Sequence, residues 1–408
     1  MNLINKIKNQ LINGDFKLLI NVCLTFILKG ASLLIAFFST PLYIKYFNND
    51  AVLGFWYTIL SILNFINIFD LGLGNGLRNH LTISYEKNEQ DKTKKVISSA
   101  YFMVGIIAVI LFIVGIVICY FVNGNKIFNI SEEDISYLTM KKSIMLLIIT
   151  LLLNFFFKLI NSILYAIQLP FLNNFVYLIT SLITFLYVLF AKSNPNIEVN
   201  LIRFSIVNLI AMNLPLVVIS FVVFCTKLKN FKPSIKYIDK NVCKDMMQLS
   251  LSFFFAQLSF MLLVSSNEIF ISRLYSPDCV VEYNIYYRIF TIFGSLVVLA
   301  LGPIWSYITK LLVNKDFVKI KKYNLLLHLT VPITLIIQLL IILCLKFVFN
   351  LWLNENAPII NYMYAFIFAI YGTVYVYNCV VTTIANSFGK VLSQIIFYSI
   401  GVHVYSPL

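Results

Sequence analysis

From Val96 to Val122 the chain runs without one charged side chain, and comparable apolar runs recur along almost its whole length. Each is long enough to cross a hydrocarbon core of roughly 30 Å as a helix, which takes about 20 apolar residues. Because a backbone in lipid has no water to bond to, such runs must be helices that satisfy their own N–H and C=O groups. Runs at 18–44, 51–73, 96–122, 143–168, 172–191, 201–225, 246–274, 283–308, 325–345, 359–385 and 391–407 predict eleven spans, the last of them short. With 60% hydrophobic and 12% charged residues among 408, the rest leaves no room for a soluble domain. The expected class is an all-α, polytopic membrane protein.

The net charge of +14 does not point to nucleic acid, because the basic residues fall in short loops between apolar runs. Lys6, Lys8 and Lys17, then Arg78 to Lys95, Lys227 to Lys244, Lys310 to Lys322, and Lys390 lie in alternate loops and hold most of the 31 basic residues. The positive-inside rule therefore predicts a cytoplasmic N-terminus, with the lysines ahead of 18–44 preceding a retained first span rather than a cleaved leader. Glu132, Glu133 and Asp134 are then expected outside.

The most basic loop, Lys227 to Lys244, falls between spans six and seven and predicts two lobes, 1–230 and 231–408, the second incomplete. Lys45, Phe47, Asp50, Val52 and Phe55 match Arg273, Tyr275, Asp278, Val280 and Tyr283 in one shifted register, and Leu73-Gly74 matches Leu301-Gly302. Such a register relates spans entering from the same side, as in a parallel repeat. Chance similarity between apolar sequences is the competing explanation.

The stretch Phe69-Asp70-Leu71-Gly72-Leu73-Gly74-Asn75-Gly76-Leu77-Arg78-Asn79-His80 looks like a phosphate-binding glycine loop. Phosphate loops follow a strand and open a helix, whereas this one follows a predicted span and precedes a lysine-bearing segment. It is expected to be the cytoplasmic end of span two and the start of an inner loop. Arg78 then stands at the cytoplasmic mouth, and Asp70 is either a relay carboxylate or an interfacial helix end.

Charged and amide side chains inside the spans are costly and mark function. Asn21, Thr25, Lys29 and Ser32 form one polar stripe on span one, and Asn154, Lys158, Asn161 and Tyr165 repeat the device on span four. Two lysine-centred stripes predict a hydrated, cationic cavity; pairing with a carboxylate such as Asp70, or snorkelling, is the alternative. Arg203 reads as an interface anchor or a substrate contact. Glu268 and Arg288, at the outer ends of spans seven and eight, read as an ion pair or a coupling site, and Gln257 takes the place of Lys29 in the second lobe. Pro215, Pro303 and Pro332 fall inside spans and are expected to kink them.

Seven scattered cysteines without a C-x-x-C pair predict neither a disulfide framework nor a metal site, and no cofactor is expected. His80, His328 and His403 are far apart, and no acid–base constellation suggests an enzyme.

The chain resembles the O-antigen and polysaccharide flippases of the MOP exporter superfamily. The likeness is carried by Lys29-Gly30 followed by Pro41-Leu42-Tyr43-Ile44, by Asp70 to Asn79, by Ser99-Ala100-Tyr101-Phe102, by Tyr283-Asn284-Ile285 with Arg288, and by Gly302-Pro303-Ile304-Trp305-Ser306. It implies a MATE-like fold of twelve spans in two lobes. It also implies transport of an oligosaccharide on undecaprenyl pyrophosphate from the inner to the outer leaflet, as in lipopolysaccharide assembly, by alternating access coupled to H+ or Na+. A polysaccharide polymerase and a chain-length regulator are the expected protein partners. In that scheme Lys29, Lys158, Asn154, Asn161, Arg203, Arg288 and Gln257 meet substrate, Asp70 and Glu268 couple the ion, and Arg78 gates the cytoplasmic side. After Gly389-Lys390 the family continues through two spans, whereas Val391 to Leu408 supplies one, so a shortened C-terminus is expected. The alternatives are a multidrug exporter of the same superfamily and a membrane-embedded polymerase or acyltransferase.

Overall fold

A computed structural model describes residues 14–49, 52–56, 72–121, 123–125, 130–265, 267, 271, 277–353 and 359–405. The described residues form helices joined by turns, without a strand. Eight helices are long and apolar enough to cross a membrane, among them Gln90–Phe121 and Tyr137–Ala166. Most of the expected span 51–73 lies outside the described residues, as do parts of 246–274 and 391–407. The chain divides into two compact units, Met1–Ser250 and Leu251–Leu408.

In the first unit the helices are α1 (Gly14–Phe47), α2 (Leu73–Glu86), α3 (Gln90–Phe121), α4 (Tyr137–Phe157), α5 (Leu159–Ala166), α6 (Phe171–Phe190), α7 (Ile197–Cys225) and the start of α8 (Lys240–Ser265). Helix α1 lies chiefly on α6, α4 on α7, and α2 on α5 and α3. One core joins Leu73, Leu77 and Leu81 to Ile97, Ile160 and Ile163. A second, aromatic core gathers Tyr46, Phe47, Trp56 and Phe204.

The second unit holds α9 (Pro277–Val313), α10 (Phe317–Leu343), α11 (Leu345–Leu353), α12 (Tyr362–Ser387) and α13 (Leu392–Tyr405). Helices α9, α10 and α12 pack on one another. At their junction Gln338 Nε2 donates to the carbonyl of Phe290 at 2.6 Å, in the space left by Gly372.

Two expectations meet a different local structure. The glycine-bearing stretch is not the start of a loop: Gly72, at φ 68°, is followed at once by the helix α2. The physical reason is the repeat of Leu73, Leu77 and Leu81 at four-residue spacing, each at most 2% exposed. Burying such a leucine contributes about 1.5–3 kcal/mol, which outweighs the roughly 1 kcal/mol helix penalty of Gly74 or Gly76. Span four is interrupted at Lys158, between α4 and α5. Pro215, Pro303 and Pro332 lie in the interiors of α7, α9 and α10, as the expected kinks require.

Candidate substrate cavity

The polar stripe on α4 ends at a break in the helix. The Lys158 N–H still reaches back to the carbonyl of Asn154 at 2.8 Å, but the next bond runs only three residues, from the Asn161 N–H to the carbonyl of Lys158 at 2.9 Å. A tight 3₁₀ turn of this kind inside a spanning segment is a common mark of function. It sets Asn154, Lys158 and Asn161 along the wall of a cavity of about 280 Å³ within the first unit. That volume is close to the lower end of the roughly 300–1,000 Å³ typical of small-molecule pockets.

Helix α6 contributes Tyr177, Thr180, Ser181 and Thr184, which follow one another at helical spacing. Helix α7 adds Phe204, Asn208, Met212 and Leu216. One end of the cavity is aromatic. The Phe204 ring meets Trp56 edge-on at 4.6 Å and Tyr43 at 5.3 Å between centroids. No carboxylate is among the described residues lining the cavity, and Lys158 is their one cationic side chain.

Lys29 stands beside this wall. Asn21, Thr25 and Ser32 are buried along its stripe, which faces α6, and Asn21 Nδ2 donates to the carbonyl of Gln168 at 3.2 Å. The Lys29 ammonium lies 5.5 Å from the centroid of the Tyr177 ring, a cation–π contact with a residue that lines the cavity. The two lysine-centred stripes are thus brought together through Tyr177.

Helix α7 carries Pro215 between the cavity-lining Met212 and Leu216. A proline has no N–H, so the carbonyl four residues earlier, that of Ala211, loses its helical donor. Thr180 supplies one: its hydroxyl donates to Ala211 O at 2.9 Å. Around the same turn Asn154 Nδ2 donates to the carbonyl of Met212 at 3.3 Å, and Asn213 Nδ2 donates back to that of Thr150 at 3.3 Å. Side chains from α4 and α6 therefore stitch the discontinuity in α7, as a bilayer-embedded proline requires.

The other expected site residues are placed elsewhere. Arg78 is buried, 5% exposed, with its guanidinium 4.3 Å from the centroid of the Tyr165 ring, so it is packed between helices and not presented to an open surface. Tyr165, on α5, thus offers its ring face to a cation from α2. Arg203 and Arg288 are exposed. Gln257 is partly buried in the second unit, and its Oε1 has no hydrogen-bond partner among the described residues. Asp70 and Glu268 lie outside the described residues. Sequence reasoning missed Thr180, Ser181, Thr184 and Asn208, although hydroxyls repeating on one face of α6 were a usable signal.

The described helices, eight of them long and apolar enough to cross a membrane, hold a polar cavity inside the first unit. Solved structures specify the fold. The chain is similar to a MATE in the straight conformation, with a TM-score of 0.73 and 11% identity over 94% of this chain and 84% of that one. It is also similar to a multidrug resistance MATE family transporter of the MOP superfamily in its outward-facing conformation, with a TM-score of 0.70 and 11% identity over 93% and 84%. A third, a MOP superfamily transporter from Pyrococcus furiosus, gives 0.67 and 11% over 93% and 84%. The fold is therefore that of the MATE-type MOP transporters. No known family matches the chain by sequence, and no curated protein does.

Proposed function

We propose that this protein moves an anionic, lipid-linked oligosaccharide across the cell membrane, from the cytoplasmic to the outer leaflet, as the resemblance to the polysaccharide flippases implies. The observation that carries this reading is the polarity of the cavity: Lys158 among amides and hydroxyls, Lys29 at its wall, and no carboxylate among the described lining residues. A pyrophosphate linker is stabilised by ammonium groups and amide donors in a low-dielectric site. Cationic drugs call for the opposite polarity. The structure from Pyrococcus furiosus is itself described by a reversed polarity of its binding pocket that suggests a different function, which supports treating pocket charge as the guide to substrate within this fold.

In this scheme Lys29 and Lys158 hold the pyrophosphate, Asn154 and Asn161 orient it, and Arg203, Arg288 and Gln257 are contacts for the rest of the substrate. Asp70 and Glu268 couple the movement to H+ or Na+. Arg78 acts at the cytoplasmic side through its packing on Tyr165. The N-terminus is cytoplasmic, lobes 1–230 and 231–408 alternate access, and a polymerase with its chain-length regulator receives the product. The test is a strain lacking this protein and any other flippase. It is expected to lose surface polysaccharide and to accumulate lipid-linked units at the inner leaflet; normal surface display would remove the proposal.

A further inference from the structure

We propose that Thr180 is a positioning residue that links the contents of the cavity to the bend of α7. The inference rests on the reading of the cavity as an anion-binding site, and goes beyond it by naming how occupancy is felt by a helix.

Three features meet at one turn. Pro215 removes the donor for Ala211 O, Thr180 replaces that donor at 2.9 Å, and Thr180 lines the cavity. A carbonyl inside a spanning helix needs a partner, so the Thr180 bond holds the α7 ladder closed across the proline. Asn154 adds to this at the next carbonyl along: it lines the cavity and donates to Met212 O, whose helical donor would be the Leu216 N–H. Both donors belong to the same cavity lining as Lys158.

An anion drawn to Lys158 brings several oxygen acceptors into a space of about 280 Å³. A charged oxygen accepts a stronger hydrogen bond than an amide carbonyl does. The Thr180 hydroxyl and the Asn154 amide turn to it, the carbonyls of Ala211 and Met212 lose their side-chain donors, and α7 is free to bend between residues 211 and 215. The bend exposes the released carbonyls to the same polar cavity, so neither is left dry. Occupancy by an anion thus favours a bent α7, and an empty cavity favours a straight one.

The experiment is hydrogen–deuterium exchange of the α7 segment 208–219 in the full-length protein in lipid nanodiscs. Thr180→Val is expected to raise exchange there by about tenfold, the scale set by the loss of one net hydrogen bond, while Thr180→Ser behaves as the parent. In a Pro215→Ala background the restored N–H serves Ala211 O, and Thr180→Val should then have no effect. Inorganic pyrophosphate should raise exchange in the parent and add nothing in Thr180→Val.

Unchanged exchange in Thr180→Val overturns the proposal, as does an equal effect of that substitution in the parent and in the Pro215→Ala background. Should Pro215→Ala fail to fold, the contrast between the valine and serine variants decides alone. Pyrophosphate that leaves the parent unchanged, or protects it, overturns the link to the anion. None of these readouts depends on polysaccharide export, so the proposed function stands or falls separately.

Discussion

The ammonium of Lys29 lies 5.5 Å from the centroid of the Tyr177 ring, and Tyr177 forms part of the cavity wall. The contact places a cation from α1 beside a space whose lining already includes Lys158 from the break between α4 and α5. The cation–π contact seats the Lys29 head against the ring face. For the proposed transport this sets the ammonium beside the space an anion would enter.

Lys29→Ala should therefore lower polysaccharide export by at least about tenfold, the scale of one lost charge-assisted hydrogen bond of roughly 1.5–3 kcal/mol. Lys29→Arg should retain part of the activity. Tyr177→Leu keeps the charge and loses only its seat, so a reduction of about two- to fivefold is expected, matching roughly 0.5–1 kcal/mol. Export measured by surface display at matched protein levels checks all three; full activity of Lys29→Ala would exclude the lysine from the mechanism.

Gly76 gives the clearest stability prediction. A Cβ there would collide with Ser250 Oγ and come within 3.3 Å of the backbone carbonyl of Met246, so α2 and α8 depend on the missing side chain for their close approach. Gly76→Ala should cost about 1–3 kcal/mol by overpacking, even though alanine is the better helix former. Thermal denaturation in detergent should show a lower midpoint, and an unchanged or higher one would refute the packing account.

The loop after α7 is held by charge and hydroxyls. Lys95 Nζ lies 2.8 Å from Asp239 Oδ2, Ser99 Oγ accepts from the Asp239 N–H at 3.1 Å, and Ser98 Oγ accepts from the Ser234 N–H at 3.1 Å. The hydrogen bond from Lys95 holds the Asp239 carboxyl below its ordinary value, helped by the backbone N–H groups of Val242 and Asn241. A depressed carboxylate stabilises the folded loop above its unfolded pKa, and that contribution is lost as pH falls through the folded value. The loop should therefore stay docked from neutral pH down to the ordinary carboxylate range and loosen in stronger acid. A spin label on the exposed Ile235 should gain mobility only at the acid end. At neutral pH Asp239→Asn should speed tryptic cleavage at Lys229 and Lys236 a few-fold, and no change would show that the ion pair does not hold the loop.

In the second unit Gln338 and Gly372 should differ in their effects. Gln338→Leu removes one buried hydrogen bond, to Phe290 O, and also removes an Oε1 that has no partner among the described residues. The two terms offset, so a net change under about 1 kcal/mol is expected. Gly372→Ala places a methyl against both the Phe290 carbonyl and Gln338 Nε2, and should cost about 1–3 kcal/mol. Comparing the two melting midpoints checks the order.

Much of this molecule could be read from the chain alone. Apolar runs of about 20 residues pointed to helices, because a transmembrane strand needs only about half that length and an isolated run in lipid must satisfy its own backbone. The spacing of Asn154, Lys158 and Asn161 placed them on one face, and the structure sets all three on the cavity wall. That α2 is a helix was obscured by its glycines, since local propensity opposes what burial of Leu73, Leu77 and Leu81 favours. Periodicity assigned residues to a face but could not say which face meets which. Only packing decided that Tyr165 turns to Arg78, that Tyr177 seats Lys29, and that Thr180 reaches the carbonyl released by Pro215. These contacts join residues far apart in sequence, and a side chain's partner across a helix interface is fixed by the position and rotation of the neighbouring helix, which no local pattern encodes.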